Sequence, residues 1–484
     1  MFQRKQLLSA NHSSRELKSK LMKKRGLVWF KNDLRLHDNE ALVMAQQECA
    51  DLVFCYCIEK NGFEKLALGF RKADIIRFKF LKQAVLDLRK NLTSIGAHLI
   101  IGEASALKTI PELVKQYDIT DVYAEEEYAS EELNLVRAVT DVLPATTFHF
   151  YWGKTLYHKE DIPFDIKNIP LTSKAYLIPA SKESTPRKTF DIPTTLNAVK
   201  QVKTHRFPAY SMYGFSKNEY EKAKPFVAGG ETEALKRLEY YTFKSELLTG
   251  YRWSRNQSDG LDYSSKFSPY LALGCISARE IYEKVMAYEA KVKKNQSTWW
   301  LVFELVWRDY FTFKAMRFGN RIFQSKGYKN KNPDWENDPV KFEKWCNGTT
   351  GIPFVDAHMR QLNQTGYMSN RGRVNCSSYL VHDLKIDWTW GAAYFESKLI
   401  DYDVTSNWMN WHMQAFEIWY TNPVHQSNKY KAQKFIRKWI PELAKNNDVE
   451  VLIPWTFDIP AYPKPIDVYQ KWSRAIALIQ KLEG

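Results

Sequence analysis

One glutamate in this chain stands among aromatic residues in a way that suggests chemistry. The 3.6-residue period of a helix places four side chains of one stretch on the same face: Trp300, Glu304, Trp307 and Phe311. A carboxylate among aromatic rings is costly to bury unless it binds a partner. Two interpretations stay open: Glu304 binds a ligand, or it pairs with Arg308 beside an aromatic core.

The segment Tyr263–Pro269 has the composition of an anion site. Three serine hydroxyls and Lys266 stand just before a predicted helix that has Pro269 at its first position. Hydroxyls and free backbone N–H groups at such a point bind phosphate. A helix start that is capped and holds no ligand is the alternative.

Charged residues of opposite sign follow further along the chain. Arg371 and Arg373 flank a glycine, a spacing that suits a phosphate or a buried carboxylate. Asp401 and Asp403 lie in a predicted loop. Asp-x-Asp binds metals in some proteins, but no third or fourth oxygen ligand is evident here, and pairing of these carboxylates with Arg373 is an equal alternative. We predict no metal site.

Composition narrows the classes of partner. The 70 basic and 55 acidic side chains give a net charge of +15, which favours nucleic acid first and an anionic membrane surface second. A charge that serves only solubility is the alternative. The 16 tryptophans exceed what a core needs and suggest stacking on planar ligands or electron transfer. The longest apolar run, Leu52–Ile58, is far too short to span a bilayer.

The cysteines and the N-terminal segment suggest where in the cell the protein acts. Six scattered cysteines form no CxxC pair, which is typical of buried thiols in a reducing cytosol, so we predict a cytoplasmic protein. Residues 1–25 carry eight basic side chains and one acid but no apolar signal segment. They are predicted to be a disordered basic extension. An organelle transit peptide and a translation start at Met22 are the alternatives, and the start at Met22 is preferred.

The elements that must position these residues fall into an α/β part and a helical part. Five short apolar strands are predicted at Gly26–Phe30, Leu52–Ile58, His98–Ile101, Asp121–Ala124 and Thr147–Tyr151. Four helices are predicted between them at Asp38–Glu48, with Asp38 as N-cap, and at Lys72–Leu92, Leu107–Tyr117 and Glu131–Leu143. This alternation predicts an α/β domain with a doubly wound parallel sheet over residues 26–152.

The rest of the chain divides in two. Residues 153–228 contain seven prolines and no clear period, and we predict a connector on the surface. Residues 229–484 are predicted to form an all-α domain that holds most of the tryptophans. No GxGxxG opens the first domain, so a dinucleotide bound in the usual Rossmann way is not expected.

Taken together and in order, these motifs resemble the photolyase/cryptochrome family. The resemblance runs from about residue 26 to residue 445 and rests on six segments: 29–39, 263–269, 304–310, 350–360, 368–373 and 399–408. Residues 155–164 and 297–300 are similar to the DASH cryptochrome branch in particular.

The resemblance implies a U-shaped flavin adenine dinucleotide (FAD) in the helical domain and blue or near-UV light that moves one electron. It implies that the flavin phosphates are held by Tyr251, Ser264, Ser265, Lys266, Phe267 and Ser268. It places around the isoalloxazine and ribose the side chains of Arg308, Asn370, Arg373, Asp401 and Asp403. An Arg373–Asp401 ion pair beside the ring and Asn407 facing flavin N5 complete the expected site.

Two further roles follow from the family match. Trp411, Trp388 and Trp335 match its electron-transfer tryptophans, although core aromatics are the alternative. Glu304 would hydrogen-bond a cyclobutane pyrimidine dimer and Trp307 would stack on it, which makes a DNA-repairing photolyase the first hypothesis. A photoreceptor that signals through flavin redox state is the second. A flavoprotein that binds nucleic acid without using light is the third.

Three departures from the family pattern bear on the substrate. Val374 stands where DASH members usually have glutamine, and Met413 stands where photolyases have tryptophan and DASH proteins tyrosine. Residues 414–430 do not match the usual glycine-rich DASH segment. Weaker lesion stacking predicts a preference for single-stranded DNA. Asn370 replaces the histidine expected of (6-4) photolyases and argues against that reaction.

Two smaller expectations complete the set. The family often carries an antenna, in DASH proteins a 5,10-methenyltetrahydrofolate touched by an acid near the fourth strand. Glu127 or Glu131 would serve, or both belong to a solvated acidic run. We expect a monomer.

Overall fold

A parallel five-stranded sheet begins the fold. The computed structural model describes residues 24–417 and 420–482, so most of the predicted basic extension lies outside it. The strands are β1 (Arg25–Phe30), β2 (Asp51–Cys57), β3 (Leu99–Gly102), β4 (Asp121–Glu125) and β5 (Thr147–Tyr151). Their order is β3-β2-β1-β4-β5 and every neighbouring pair is parallel. The chain therefore starts at the centre and winds toward both edges, which confirms the predicted doubly wound sheet.

Four helices connect the strands: α1 (Glu40–Glu48), α2 (Ile75–Ser94), α3 (Ala106–Tyr117) and α4 (Ser130–Asp141). The prediction that Asp38 caps the first of them is wrong. Asn39 is the N-cap and accepts a hydrogen bond from the Leu42 amide. Asp38 instead adopts φ +46° and receives two hydrogen bonds from the buried Arg279 guanidinium, at 2.7 and 3.0 Å. A bidentate charge-assisted contact outweighs a helix cap.

The segment predicted as a surface connector is partly internal. It contains α5 (Ser173–Glu183) and α6 (Lys217–Lys222). In α5, Tyr176 is fully buried and stacks on Tyr310 with the ring centroids 5.0 Å apart. The prediction missed α5 because the helix is short and carries Pro179, which obscures a helical period. The domain boundaries themselves stay a prediction.

The remainder of the described chain is helical. Its helices are α7 (Glu231–Glu239), α8 (Tyr251–Ser254), α9 (Ser268–Ala272), α10 (Ala278–Lys291), α11 (Gln296–Phe318), α12 (Pro339–Asn347), α13 (Pro353–Thr365), α14 (Asn370–Ser378), α15 (Trp388–Lys398), α16 (Val404–Phe416), α17 (Pro423–Lys429), α18 (Gln433–Trp439), α19 (Asp448–Leu452) and α20 (Ser473–Gln480). No helix among the described residues has the length and apolarity needed to cross a membrane.

Three apolar clusters hold the elements together, and one of them lies among the sheet and the helices α3 and α4. A second joins the sheet to the long helix α11, because Phe30 of β1 and Phe313 of α11 belong to the same buried group. The third lies among α12 to α20 and includes Trp388 and Trp411. The helix α11 therefore stands between the sheet and the helical bundle, and it carries Glu304 and Arg308 at that position.

Candidate functional site

A cavity of about 300 Å³ opens inside the helical part. Its wall brings together residues from segments that are far apart in sequence. The predicted site residues that line it are Tyr251, Ser264, Ser265, Lys266, Phe267, Ser268, Glu304, Arg308, Asn370, Arg373, Asp401, Asn407 and Trp411. Four predicted site residues lie elsewhere: Trp307, Trp335, Trp388 and Asp403. Sequence analysis missed several lining residues, among them Arg255, Tyr367 and Gln414.

The hydroxyl-rich side of this cavity contains a buried cation. Lys266 is 4% exposed and adopts φ +59°. Its Nζ donates to Ser264 Oγ at 2.9 Å and to Tyr367 Oη at 3.1 Å. No carboxylate of the described chain forms a salt bridge with it. Because a buried charge without a counter-ion is costly, this side of the cavity is suited to an anionic ligand.

Arg237 holds the loop that carries Lys266. Its guanidinium donates to the Ser264 carbonyl at 3.1 Å and to the Ser265 carbonyl at 3.0 Å. A third bond reaches the Leu261 carbonyl at 2.9 Å. These contacts hold the backbone of the loop, so its hydroxyls are placed before any ligand binds.

The predicted ion pair is present next to this loop. Arg373 Nη2 lies 2.7 Å from Asp401 Oδ2, and Ser268 Oγ donates to the same oxygen at 2.7 Å. The second oxygen of Asp401 is buried and has no hydrogen-bond partner among the described residues. The pair therefore fixes Arg373 while it leaves one polar atom unsatisfied.

Glu304 pairs with a residue that the sequence did not suggest. Its Oε1 accepts from the Arg255 guanidinium and from Trp300 Nε1, the latter at 2.9 Å. The alternative of a pair with Arg308 is wrong, since Arg308 binds the Lys154 carbonyl and lies 3.8 Å from Asp403. Arg255 follows Tyr251 by four residues, a helical spacing that could have identified it.

The protonation of Glu304 reflects its surroundings. Burial raises the pKa of Glu304, and the nearby Arg255 and the Trp300 hydrogen bond oppose that rise without cancelling it. Its second oxygen, Oε2, accepts no hydrogen bond from the described chain. Glu304 is therefore a carboxyl on the cavity wall with one atom available to a ligand.

Asp403 lies between two cavities. It caps α16 by accepting from the Ser406 amide at 2.8 Å. Burial alone would raise the pKa of Asp403. The nearby Arg308 and hydrogen bonds from Ser406 and Thr405 lower it instead. Asp403 lines the second cavity and Arg308 lines both, so the two residues form part of the wall between them.

Asn407 and Trp411 stand one turn apart on α16, and both line the first cavity. The Asn407 amide nitrogen donates to the Ala392 carbonyl at 3.0 Å, which fixes the orientation of the side chain. Trp411 packs against Gly391, where an added Cβ would lie only 2.2 Å from the indole. The helices α15 and α16 are thereby brought into close contact beside the cavity.

The other two predicted electron-transfer tryptophans lie behind this wall. Trp388 is fully buried at the start of α15, three residues before Gly391. Its indole donates to the Ser325 carbonyl at 2.9 Å, and the Trp335 indole donates to the Ser325 hydroxyl at 3.1 Å. Trp388 and the half-buried Trp335 therefore bind the same residue, and Trp388 lies on the helix whose Gly391 contacts Trp411. Trp307 packs against Phe303, Tyr310 and Phe311 of its own helix.

An aromatic surface lies next to Glu304, and we call Arg252, Trp253, Trp299 and Trp300 the Trp253 surface. The Trp253 side chain is 73% exposed. The Arg252 guanidinium lies 5.0 Å from the Trp253 ring and 4.8 Å from the Trp300 ring. Because Trp300 donates to Glu304, this surface is continuous with the cavity wall.

A second cavity of about 150 Å³ lies between the sheet and the helical part. Of the two antenna candidates, Glu127 lines it, whereas Glu131 is exposed and pairs with Lys72. Glu127 lies 3.1 Å from Lys31 Nζ and 3.1 Å from Lys154 Nζ. Burial would raise the pKa of Glu127, but the two lysines lower it.

Family models match both parts of the chain. A model described as DNA photolyase matches residues 26–193, and one described as the FAD binding domain of DNA photolyase matches residues 300–481. FAD is thus the cofactor. The first cavity fits it chemically, because the buried Lys266 without a carboxylate suits a pyrophosphate. The unsatisfied oxygen of Asp401 and the fixed Asn407 suit the polar edges of a flavin or ribose.

Several relatives match over nearly the whole chain. A cryptochrome DASH of Synechocystis sp. is 41% identical, with 89% of this chain and 90% of the relative covered. A solved Synechocystis cryptochrome superposes with a TM-score of 0.88 at 37% identity and covers 95% of this chain and 99% of its own. An archaeal photolyase of Sulfolobus tokodaii, solved with two FAD molecules, has a TM-score of 0.75 at 25% identity, with 94% and 99% covered. The chain therefore belongs to the photolyase/cryptochrome family, within which it is most like the cryptochrome DASH proteins.

Proposed function

We propose that this protein is a light-driven lyase that repairs cyclobutane pyrimidine dimers and prefers single-stranded DNA. The observation that carries the proposal is Glu304, a carboxyl on the wall of the cofactor cavity with one oxygen available. The exposed Trp253 surface lies directly beside it. A base that enters the cavity from this surface meets a hydrogen-bonding group next to the cofactor.

The cavity residues divide the binding of FAD among them in this proposal. Lys266 and the serines from Ser264 to Ser268 hold the phosphates, with Tyr251 alongside. Arg308, Asn370, Arg373, Asp401 and Asn407 hold the flavin and ribose, and Asp403 acts from behind by fixing Arg308. Reduced FAD, when bound, supplies the light-driven electron that opens the cyclobutane ring.

Glu304 binds and polarises the lesion. Oε2 is the atom that meets the polar edge of the pyrimidine, and burial raises the pKa of Glu304, which makes the proton-donating form easier to reach than in an exposed glutamate. Arg255 and Trp300 hold the other oxygen, so the carboxyl does not need to reorient. Such a preorganised donor stabilises negative charge that develops on the carbonyl.

The three tryptophans keep the cofactor reduced in this proposal. Trp411 is on the cavity wall, Trp388 lies behind it, and Trp335 is half-buried nearer the surface. An indole is oxidised reversibly, so electrons pass inward along this row. Replacing Trp388 with phenylalanine should slow light-driven reduction of the bound flavin. An unchanged rate would place the electron route elsewhere.

A preference for single strands is supported by two features. Met413, which is half-buried and precedes the cavity-lining Gln414 on α16, offers no aromatic ring to stack on a flipped base. The Trp253 surface offers stacking for unpaired neighbouring bases, which is worth about 1–3 kcal/mol per base. We expect Trp253→Ala to weaken binding of a single-stranded oligonucleotide roughly tenfold. Trp253→Phe, which keeps a ring, should retain most of the affinity.

Repair of a thymine dimer tests the proposal directly. Purified protein with reduced FAD is illuminated with single- and double-stranded oligonucleotides that carry one dimer. We expect the single strand to be repaired faster, and Glu304→Ala to lower the repair rate by about 10²-fold with FAD content unchanged. The surface variant Glu336→Ala, whose partner is Lys341, is the matched control. Equal repair by Glu304→Ala and wild type would remove Glu304 from the mechanism.

A photoreceptor is the second candidate, and Met413 favours it because this position gives a lesion no aromatic ring to stack on. That function predicts no repair of either oligonucleotide but a change in partner binding on illumination. The same assay therefore separates the two candidates. Repair by the wild-type protein excludes signalling as its sole activity.

Three minor assignments belong to the same proposal. The second cavity is the antenna site, with Glu127 accepting a hydrogen bond from a methenyl folate, and Glu131 plays no part. Six free, buried cysteines suit a cytoplasmic protein. The protein acts as a monomer on DNA, to which its basic charge draws it.

A further inference from the structure

A cluster of titratable side chains lies beside Trp388 and has no role in the proposal above. Its members are Lys314, Tyr328, Lys329, His412 and Glu417. Glu417 belongs to the segment that departs from the glycine-rich DASH pattern. The Tyr328 hydroxyl donates a hydrogen bond to Glu417 Oε1, and Tyr328 as a whole is only 7% exposed.

Tyr328 is separated from Trp388 by a single ring. The His412 and Trp388 ring centroids are 5.8 Å apart in an edge-to-face arrangement. Tyr328 stacks on the same imidazole with its ring centroid 3.9 Å away. This close approach depends on Gly327, which has φ +58° and where an added Cβ would lie 2.3 Å from His412 Nε2.

The protons of the cluster are already arranged for transfer. Burial raises the pKa of Tyr328, so its phenol is neutral. Burial would also raise the pKa of Glu417, but the Tyr328 hydrogen bond, Lys314 and Lys329 lower it, so Glu417 is ionised. Burial lowers the pKa of His412 to about 3, so a neutral imidazole lies between the two aromatic rings.

We propose that Tyr328 is an additional electron donor to oxidised Trp388 and passes its proton to Glu417. One electron moves from the Tyr328 phenol to the Trp388 radical cation, and the phenolic proton moves to the Glu417 carboxylate. The products are a neutral indole, a neutral tyrosyl radical and a carboxylic acid, so charge and atoms balance. The inference rests on the proposed tryptophan route, in which Trp388 loses its electron through Trp411 to the light-excited flavin.

The cluster gives oxidised Trp388 a second possible electron donor in addition to Trp335. Ser325 binds both indoles, and Tyr328 follows three residues later in the same segment. An oxidised phenol is a very strong acid, so even a carboxylate with a lowered pKa accepts its proton. Loss of the proton traps the oxidised state on Tyr328 and delays its return to the cofactor.

The test is flash spectroscopy of the FAD-containing protein, with electron paramagnetic resonance to identify the radical. We expect a tyrosyl radical in the wild type that Tyr328→Phe abolishes. Tyr310→Phe is the matched control, because Lys314 lies over both rings while Tyr310 donates only to backbone carbonyls. A tyrosyl signal that persists in Tyr328→Phe, or a wild type without one, overturns the inference.

Glu417→Gln tests the proton step and also covers the case in which Tyr328→Phe does not fold. The amide still accepts the hydrogen bond but is no base, so formation of the tyrosyl radical should slow by at least about tenfold. The solvent deuterium isotope effect should change with it. An unchanged rate overturns the role of Glu417.

Trp388→Phe distinguishes failure of this inference from failure of the tryptophan route. Loss of both photoreduction and the tyrosyl signal supports both assignments. A tyrosyl signal that persists in Trp388→Phe overturns the donation from Tyr328 to Trp388. Normal photoreduction in Trp388→Phe places the fault in the proposed route instead.

Discussion

The two cavities differ in how their buried charges are balanced. In the first, Lys266 has hydroxyl partners and no carboxylate salt bridge within the described chain. In the second, Lys154 lies 2.8 Å from Glu125 and 3.1 Å from Glu127. Lys31 also forms a salt bridge with Glu127. The first cavity therefore has an uncompensated cation, whereas the second has lysines and carboxylates that compensate one another.

This difference indicates which cavity depends on its ligand. A buried cation is stabilised when an anion arrives, so FAD phosphates complete the electrostatics of the first cavity. In the second cavity Glu125 and Glu127 already have lysine counter-ions, and a ligand there must enter without displacing an ion pair. Removal of one charge from each cavity should then have opposite consequences for stability.

The largest effect is expected from Glu127→Gln. The change leaves Lys31 and Lys154 with fewer counter-ions in a buried place, which should lower the free energy of unfolding by about 3 kcal/mol. The content of FAD should not change, because the first cavity is untouched. Denaturant unfolding and the flavin-to-protein absorbance ratio measure the two quantities.

Glu131→Gln is the matched control for this experiment, since the same chemical change falls on an exposed ion pair. It should cost less than about 0.5 kcal/mol. Equal destabilisation by the two variants would contradict the charge balance described for the second cavity.

Lys266→Met should have the opposite pattern of effects: it should weaken FAD binding without lowering the stability of the protein. Without the lysine, a charge-assisted bond to phosphate is lost, and FAD affinity should fall roughly tenfold to a hundredfold. The apo protein should be no less stable than wild type, because an unpaired buried charge has been replaced by an apolar chain of similar length. Fluorescence titration with FAD and unfolding of the apo protein check both signs. Lys236→Met, at an exposed lysine, should change neither.

The sequence predicted the scaffold and most of the first cavity, but little of the second. Strands such as Thr147–Tyr151 follow from local composition, and motif residues such as Lys266 and Asp401 line one cavity together. Arg255 was missed because its partner Glu304 is 49 residues away. Glu127 and Glu131 looked equivalent, because only the packing of β4 and α4 against the helical part buries one and exposes the other.

The cap of α1 shows the same limit at a single residue. Asp38 and Asn39 are both good N-cap residues by type. The Asp38 carboxylate binds Arg279 of a helix that is distant in sequence. Asn39 therefore accepts the capping hydrogen bond from the Leu42 amide. Local sequence predicts that a cap is present, while tertiary charge pairing decides which residue provides it.

The smallest expected effect concerns pH and the wall of the second cavity. Burial, with the nearby Glu127 charge, raises the pKa of Glu132 to about 7. The folded state then binds a proton that the unfolded state has released, so stability from this group is full below its ordinary pKa and is lost as pH rises through about 7. We expect Glu132→Gln to remove about 1 kcal/mol of that pH dependence, since solvent reaches part of the side chain.

The pH dependence also tests the link between Glu132 and the balanced charges. Other buried acids titrate in the same range, so the informative quantity is the difference between wild type and Glu132→Gln from pH 5 to pH 8. In a Glu127→Gln background the carboxylate that raises the pKa of Glu132 is gone. Lys154 remains and favours the ionised form of Glu132, so the difference should shrink. A difference of the same size in both backgrounds would show that burial alone governs Glu132, and that the charges of the second cavity act on one another less than their spacing indicates.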